Sequence, residues 1–191
     1  MIMSRTDYLL ESMTHKNVVS WKTVIGRYIR LSDIEGARRV FQIMPERDDV
    51  SWNSMIAGCV SVKDYEGAIR LFFEMQNAKV RPTEVTLISV LGACAETGAL
   101  EMGSKIHKSL KACGHKIEGY LGNALLNMYS KCGNFSSAWE IFNVMKIKPV
   151  SCWNAMIVGF VVHGYCEEAL QLFSEMESEL CTVRPNRGGI P

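Results

Sequence analysis

A pair of cysteines two residues apart, the commonest clamp for zinc, occurs nowhere in this 191-residue sequence. Its seven cysteines, from Cys59 to Cys181, are odd in number and widely spaced. That pattern suits reduced, mostly buried thiols in a reducing compartment and excludes a disulfide framework. The four histidines, His15, His107, His115 and His163, form no H-E-x-x-H or H-x-E arrangement, so neither a metal site nor a cofactor is expected. Strong charge of either sign is also missing. With 21 basic residues against 20 acidic ones the net is +1, so any nucleic acid must be held by placed residues and not by an overall field. No apolar run approaches the roughly 20 residues that span a bilayer, and no membrane partner is expected. The amino terminus, MIMSRTDYLLESM, mixes one arginine with acidic residues and lacks a long apolar core, so no targeting peptide is evident in it. No serine or histidine pattern sets a nucleophile beside a base, and no catalytic residue is assigned.

What is present is repetition. VVSWKTVIGRYIRLSDIEGARRVF, from Val18 to Phe41, returns from Asp49 as DVSWNSMIAGCVSVKDYEGAIRLF. Lys22, Asn53, Ile88, Asn123 and Asn154 head one column, spaced by 31, 35, 35 and 31 residues. Fifteen residues beyond each stands a small one: Ala37, Ala68, Gly103, Ala138 and Ala169. Two further columns keep the register, Phe41, Phe72, His107, Phe142 and Phe173, then Met44, Met75, Leu110, Met145 and Met176. Searching for such periods first matters, because a missed period misassigns the whole fold.

Each unit reads as two helices. Trp52, Met55, Ile56 and Cys59 make one apolar stripe at helical spacing, and Ala68, Leu71, Phe72 and Met75 make a second. The breaks SVKD, ETGA, KCGN and VHGY separate them, the last three with a glycine suited to a left-handed turn after a helix. The small column lets the paired helices approach closely, and the Phe and Met columns fill the groove against the next hairpin. A single hairpin cannot bury such a face, so the units stack into a solenoid. Trp21, Trp52 and Trp153 share helical spacing with Met and Ile, which assigns them to the core and not to base stacking.

Segments such as DVSWNSMIAG, NALLNMYSKCGNFSSAWEIFNVM and CWNAMIVGFVVHGYCEEALQLFSEM resemble the pentatricopeptide repeats of land-plant proteins. The alternating lengths resemble the subclass that mixes long, standard and short units. Tetratricopeptide hairpins keep a constant 34-residue period and an L-G after the tryptophan; here the period varies, and Lys22, Asn53 and Asn154 follow the tryptophans. The resemblance implies an all-α, right-handed superhelical α-solenoid. Its units run over 18–48 (short), 49–83 (standard), 84–118 (long), 119–149 (short) and 150–186, the last with two extra residues near ELCT; 1–17 is a partial unit and 187–191 a tail. Both ends read as those of a truncated array.

The resemblance also implies single-stranded RNA binding at one base per unit, read by the fifth and last residues of each unit. These pairs are Lys22 with Asp48, Asn53 with Thr83, Ile88 with Glu118, Asn123 with Pro149, and Asn154 with Asn186. The fifth residue is expected in the first turn of the first helix. An asparagine amide offers a donor and an acceptor to a pyrimidine edge, so the expected strand is pyrimidine-leaning, with cytosine or uracil at Asn154. Lys22 reaches only acceptors, Ile88 makes no hydrogen bond and Pro149 has no side-chain polar group. At the second place Val19, Val50, Val85, Tyr120 and Ser151 are expected to pack on bases. Arg30 and Lys131, at the thirteenth place of short units, are candidates for phosphates or plain solvated surface. Asn53 taken alone reads as a helix cap; its recurrence in register favours readout.

Members of the subclass act in mitochondria or plastids, many as specificity factors for cytidine-to-uridine editing alongside other RNA-processing proteins. The zinc-deaminase signature that editing chemistry needs is absent here. The alternatives are a protein-interaction solenoid or a non-functional fragment, favoured by Lys22, Ile88, Pro149 and the near-neutral charge.

Overall fold

A computed structural model describes residues 17–183, with side chains through residue 179. Among the described residues there are ten helices and no strand. In chain order these are α1 (Val18–Arg30), α2 (Ile34–Ile43), α3 (Asp49–Ser61), α4 (Tyr65–Asn77), α5 (Glu84–Thr97), α6 (Leu100–Ala112), α7 (Gly119–Lys131), α8 (Phe135–Val144), α9 (Val150–Val162) and α10 (Cys166–Val183). They form two compact units, one ending at Thr97 and the other beginning at Gly98. The fold is an all-α repeat solenoid.

In the first unit, α1 pairs with α2 and α3 with α4, while α5 packs on both α3 and α4. The first helices α1, α3 and α5 touch in succession and make one layer, with α2 and α4 behind it. In the second unit α7 pairs with α8 and α9 with α10, α7 touches α9, and α6 packs on α7. At two of these seams, α1 with α3 and α7 with α9, a glycine lets the first helices close on each other. A Cβ on Gly58 would lie 2.8 Å from the Ile29 side chain of α1, and one on Gly159 would lie 2.7 Å from Cβ of Ser130 on α7. At Gly159 a larger residue would also meet the Ser130 backbone and force the helices apart, whereas at Gly58 the flexible end of Ile29 could give way.

The apolar columns are buried as their spacing predicts, with the exception of Phe173 on α10. Trp52, Phe72, Met75, Ile141 and Met145 are among the fully buried side chains. The Phe41 ring meets Trp52 of the next hairpin edge-on at 4.8 Å, and Phe142 meets Trp153 in the same way at 4.8 Å. Trp21, Trp52 and Trp153 are all core, so none of them is a stacking platform. The small column works partly between hairpins: a Cβ on Gly103 would come within 2.4 Å of Met128 on α7.

Short turns join the paired helices through one left-handed residue. Gly133 takes it with φ +72°, whereas Ser32 and Lys63 adopt the same conformation at 57° and 64° without being glycine. Asp33, Asp64 and Asn134 each accept a backbone N–H at the start of the second helix, which satisfies one of its orphan donors. α10 runs unbroken for 18 residues, through the ELCT segment. Cys59, Cys94 and Cys152 are buried, but Cys113 and Cys166 are exposed, so burial of the cysteines is less general than their spacing suggests.

Candidate nucleic-acid interface

The first helices begin at Val18, Asp49, Glu84, Gly119 and Val150. Lys22, Asn53, Ile88, Asn123 and Asn154 are therefore each the fifth helical residue, at the start of the second turn and not in the first. Where a side-chain cap is made, the residue before the helix makes it. Asp48 accepts the Ser51 N–H at 3.0 Å and Thr83 accepts the Thr86 N–H at 3.4 Å. Asn53 is consequently no helix cap.

The second residue of each first helix stands three positions before the fifth, on the same face. Val19 is 68% exposed, Val50 48%, Val85 59% and Tyr120 82%, and Ser151 is exposed as well. Large apolar side chains left in water at one repeated place contrast with the burial of Trp21, Trp52 and Trp153 only two residues on. Beside them Lys22, Asn53, Ile88 and Asn123 are half-buried, while Asn154 is exposed and makes no hydrogen bond with a described residue. Asn186 lies outside the described residues.

Two of the expected fifth-and-last pairs are in contact. Lys22 Nζ lies 2.5 Å from Asp48 Oδ2. Partial burial works against the Asp48 carboxylate, but the hydrogen bonds from Lys22 and from Ser51 outweigh it and hold its pKa below the usual value. Asn53 Nδ2 donates to Thr83 Oγ1 at 2.9 Å. Glu118 and Pro149 precede their helices without a side-chain cap, and Pro149 gives Asn123 no polar partner.

Sequence reasoning missed two residues at this surface. Thr86, buried on α5, donates its hydroxyl to Asn53 Oδ1. Cys152, buried on α9, points its thiol at Asn123 Oδ1 at 3.4 Å. Each is the third residue of the following first helix. Among the described residues no group of three or more His, Cys, Asp or Glu side chains is placed to hold a metal ion, and no helix is long and apolar enough to cross a membrane.

The profile of the PPR repeat family matches residues 47–96, and the PPR repeat profile matches 19–48, 123–150 and 151–179. The chain belongs to the pentatricopeptide repeat family. One pentatricopeptide repeat-containing protein of Arabidopsis thaliana is 48% identical over 169 residues, covering 88% of this chain and 26% of its own length. A second from the same plant is 38% identical over 180 residues, covering 93% of this chain and 22% of its own length. The chain thus spans about a quarter of the length of these relatives. Among solved structures, the pentatricopeptide repeat protein PPR10 in complex with an 18-nucleotide psaJ RNA element superposes with a TM-score of 0.77, at 22% identity, over 91% of this chain and 26% of that one. The PPR domain of Arabidopsis thaliana protein-only RNase P 1, in complex with tRNA, superposes with a TM-score of 0.63 at 13% identity, over 87% of this chain and 91% of that domain. At these identities the superpositions establish the shared pentatricopeptide solenoid.

Proposed function

We propose that this pentatricopeptide chain binds single-stranded RNA on the exposed face of its first helices, one base per hairpin. The observation that carries the reading is the repeated pairing of an exposed second residue with a polar fifth residue one turn away: Val50 with Asn53, Tyr120 with Asn123, Ser151 with Asn154. The second residue offers surface for a base to pack on, and the fifth offers hydrogen bonds to its edge. Asn53, Asn123 and Asn154 select pyrimidines, and Lys22 with Asp48 and Ile88 with Glu118 select less. In the 5′ to 3′ direction the strand reads any base, pyrimidine, any base, pyrimidine, cytosine or uracil.

The chain is then the RNA-selecting part of a longer system for organellar RNA processing or cytidine-to-uridine editing, with the chemistry supplied by partner proteins. Two of its Arabidopsis relatives carry the designation chloroplastic, which supports a plastid or mitochondrial setting. The test is a titration at fixed salt against the pyrimidine-spaced strand, a purine-substituted strand and a duplex of equal length. Preference for the first, lost when Asn53 and Asn154 are both changed to alanine, supports readout. Equal weak binding, or none by a folded chain, favours a protein-binding solenoid, a reading that the apolar groove lined by Ile157, Val161, Leu170 and Phe173 would then carry.

A further inference from the structure

An asparagine amide that turns over freely presents donor and acceptor interchangeably. Cytosine and uracil differ in the order of those groups along their pairing edge, so a free amide takes both. Discrimination between them needs the amide fixed. The expected partner for that task is the last residue of the unit, yet Pro149 has nothing to offer Asn123, and Thr83 contacts only the nitrogen of Asn53.

In both compact units the third residue of the following first helix contacts the amide oxygen of the asparagine. Thr86 Oγ1 accepts the backbone N–H of Thr83 at 2.9 Å and donates a hydroxyl hydrogen bond to Asn53 Oδ1. The hydroxyl is thereby tied to the main chain on one side and to the amide on the other. Cys152 repeats the relationship on Asn123 at 3.4 Å, although its thiol also lies 3.9 Å from Met145 Sδ. Burial raises the Cys152 pKa, against smaller opposing effects of Ser151 and Lys148, and so keeps the thiol protonated as a donor. Where the fifth residue is not asparagine the relationship is absent: the Ser51 hydroxyl is spent on the Asp48 carbonyl at 2.7 Å, and the residue three places into the helix after the Ile88 unit is Leu121.

We infer that Thr86 and Cys152 are positioning residues that fix the amides of Asn53 and Asn123, and thereby set how sharply each hairpin separates cytosine from uracil. The inference rests on the RNA reading above. It ranks the two sites. Asn53, gripped at both ends with a hydroxyl at its oxygen, discriminates more than Asn123, gripped at one end by a thiol, a weaker donor.

The test uses the whole chain and a set of single-stranded RNAs that differ by one cytosine-to-uracil exchange at each position in turn. The position that responds to Asn53→Ala identifies the base opposite that hairpin. There the wild type is expected to prefer one pyrimidine by roughly two- to tenfold, the range of one net hydrogen bond. Thr86→Val should bring that ratio to about one at that position alone, and Thr86→Ser should restore it. In the other unit Cys152→Ser should sharpen discrimination opposite Asn123 and Cys152→Ala should remove it, which keeps the test open if Thr86→Val fails to fold. Side-chain amide signals of Asn53 in a nitrogen-15 spectrum should shift in Thr86→Val and not in Thr86→Ser. RNA binding with a pyrimidine ratio indifferent to all four variants overturns the positioning role and leaves RNA readout standing. Uniform weakening for every RNA reduces Thr86 to a structural residue. A folded chain that binds none of these RNAs overturns both readings.

Discussion

Lys22 Nζ and Asp48 Oδ2 meet at 2.5 Å across the seam between α1 and α3, while the other carboxylate oxygen of Asp48 caps α3. One side chain thus holds a helix start and neutralises the lysine that stands where three other hairpins carry asparagine. Both partners remain partly in water, at 26% and 41% side-chain exposure, so the ion pair itself contributes less than about 1 kcal/mol. The cap is worth about as much again. Asp48→Ala is therefore expected to cost about 1–2 kcal/mol, and Lys22→Ala less than about 1 kcal/mol, in urea denaturation. The folded carboxylate has the lowered pKa, so its stabilisation is complete above the ordinary carboxylate pKa and is lost as pH falls toward the folded value. Melting temperatures followed below about pH 4 should decline less steeply in Asp48→Asn than in the wild type.

Tyr120 is the largest side chain at the repeated second place and is 82% exposed. Its removal takes nothing from the core, so Tyr120→Ala should leave the melting temperature essentially unchanged. If a base packs on it, the same variant loses roughly 1–3 kcal/mol of RNA affinity, or about 5- to 150-fold. Fluorescence anisotropy with the pyrimidine-spaced strand reads this directly. Unaltered affinity would remove Tyr120 from the interface.

The helices, their pairing and their buried faces were legible because the small, Phe and Met columns repeat nearly one chemical type each, with His107 and Leu110 the departures. Aromatic, small and sulfur-containing positions recur at a spacing that only a two-helix unit satisfies. The third residues of the first helices, Ser20, Ser51, Thr86, Leu121 and Cys152, have no common chemistry. Their hydrogen bonds to the asparagines join residues 33 and 29 positions apart, so no local pattern points to Thr86 or Cys152. The capping role of Asp48 was legible in principle, as an acidic residue immediately before a helix, but reading it as a base-contacting residue hid that role. Periodicity also shows which face is apolar without showing what covers it.

Phe173 illustrates the last point. Its column mates Phe41, Phe72 and Phe142 are 3%, 1% and 3% exposed, whereas Phe173 is 43% exposed beside Leu170 at 69%. Phe72→Ala should cost about 3–5 kcal/mol, the usual penalty for a fully buried ring. Phe173→Ala should cost less than about 1 kcal/mol. Urea midpoints of the two variants give the comparison, and equal losses would mean that the two positions are equally enclosed.

His107 occupies the same column on α6, where the other hairpins place phenylalanine. Its Nδ1 lies 2.9 Å from the Tyr129 hydroxyl, and its Nε2 is buried without a hydrogen-bond partner among the described residues. Burial lowers the His107 pKa, the charge of Lys111 lowers it further, and Glu140 opposes both. The folded chain therefore resists a proton that the unfolded chain accepts near pH 6.5. Stability should be unaffected above that pH and should fall as pH drops through the window between 6.5 and the lower folded value. His107→Gln keeps a polar partner for Tyr129 but cannot titrate, so its melting temperature should lose this slope between pH 7 and 5 while the acid limb of the carboxylates persists. A slope shared equally by wild type and His107→Gln would place the titration on another group.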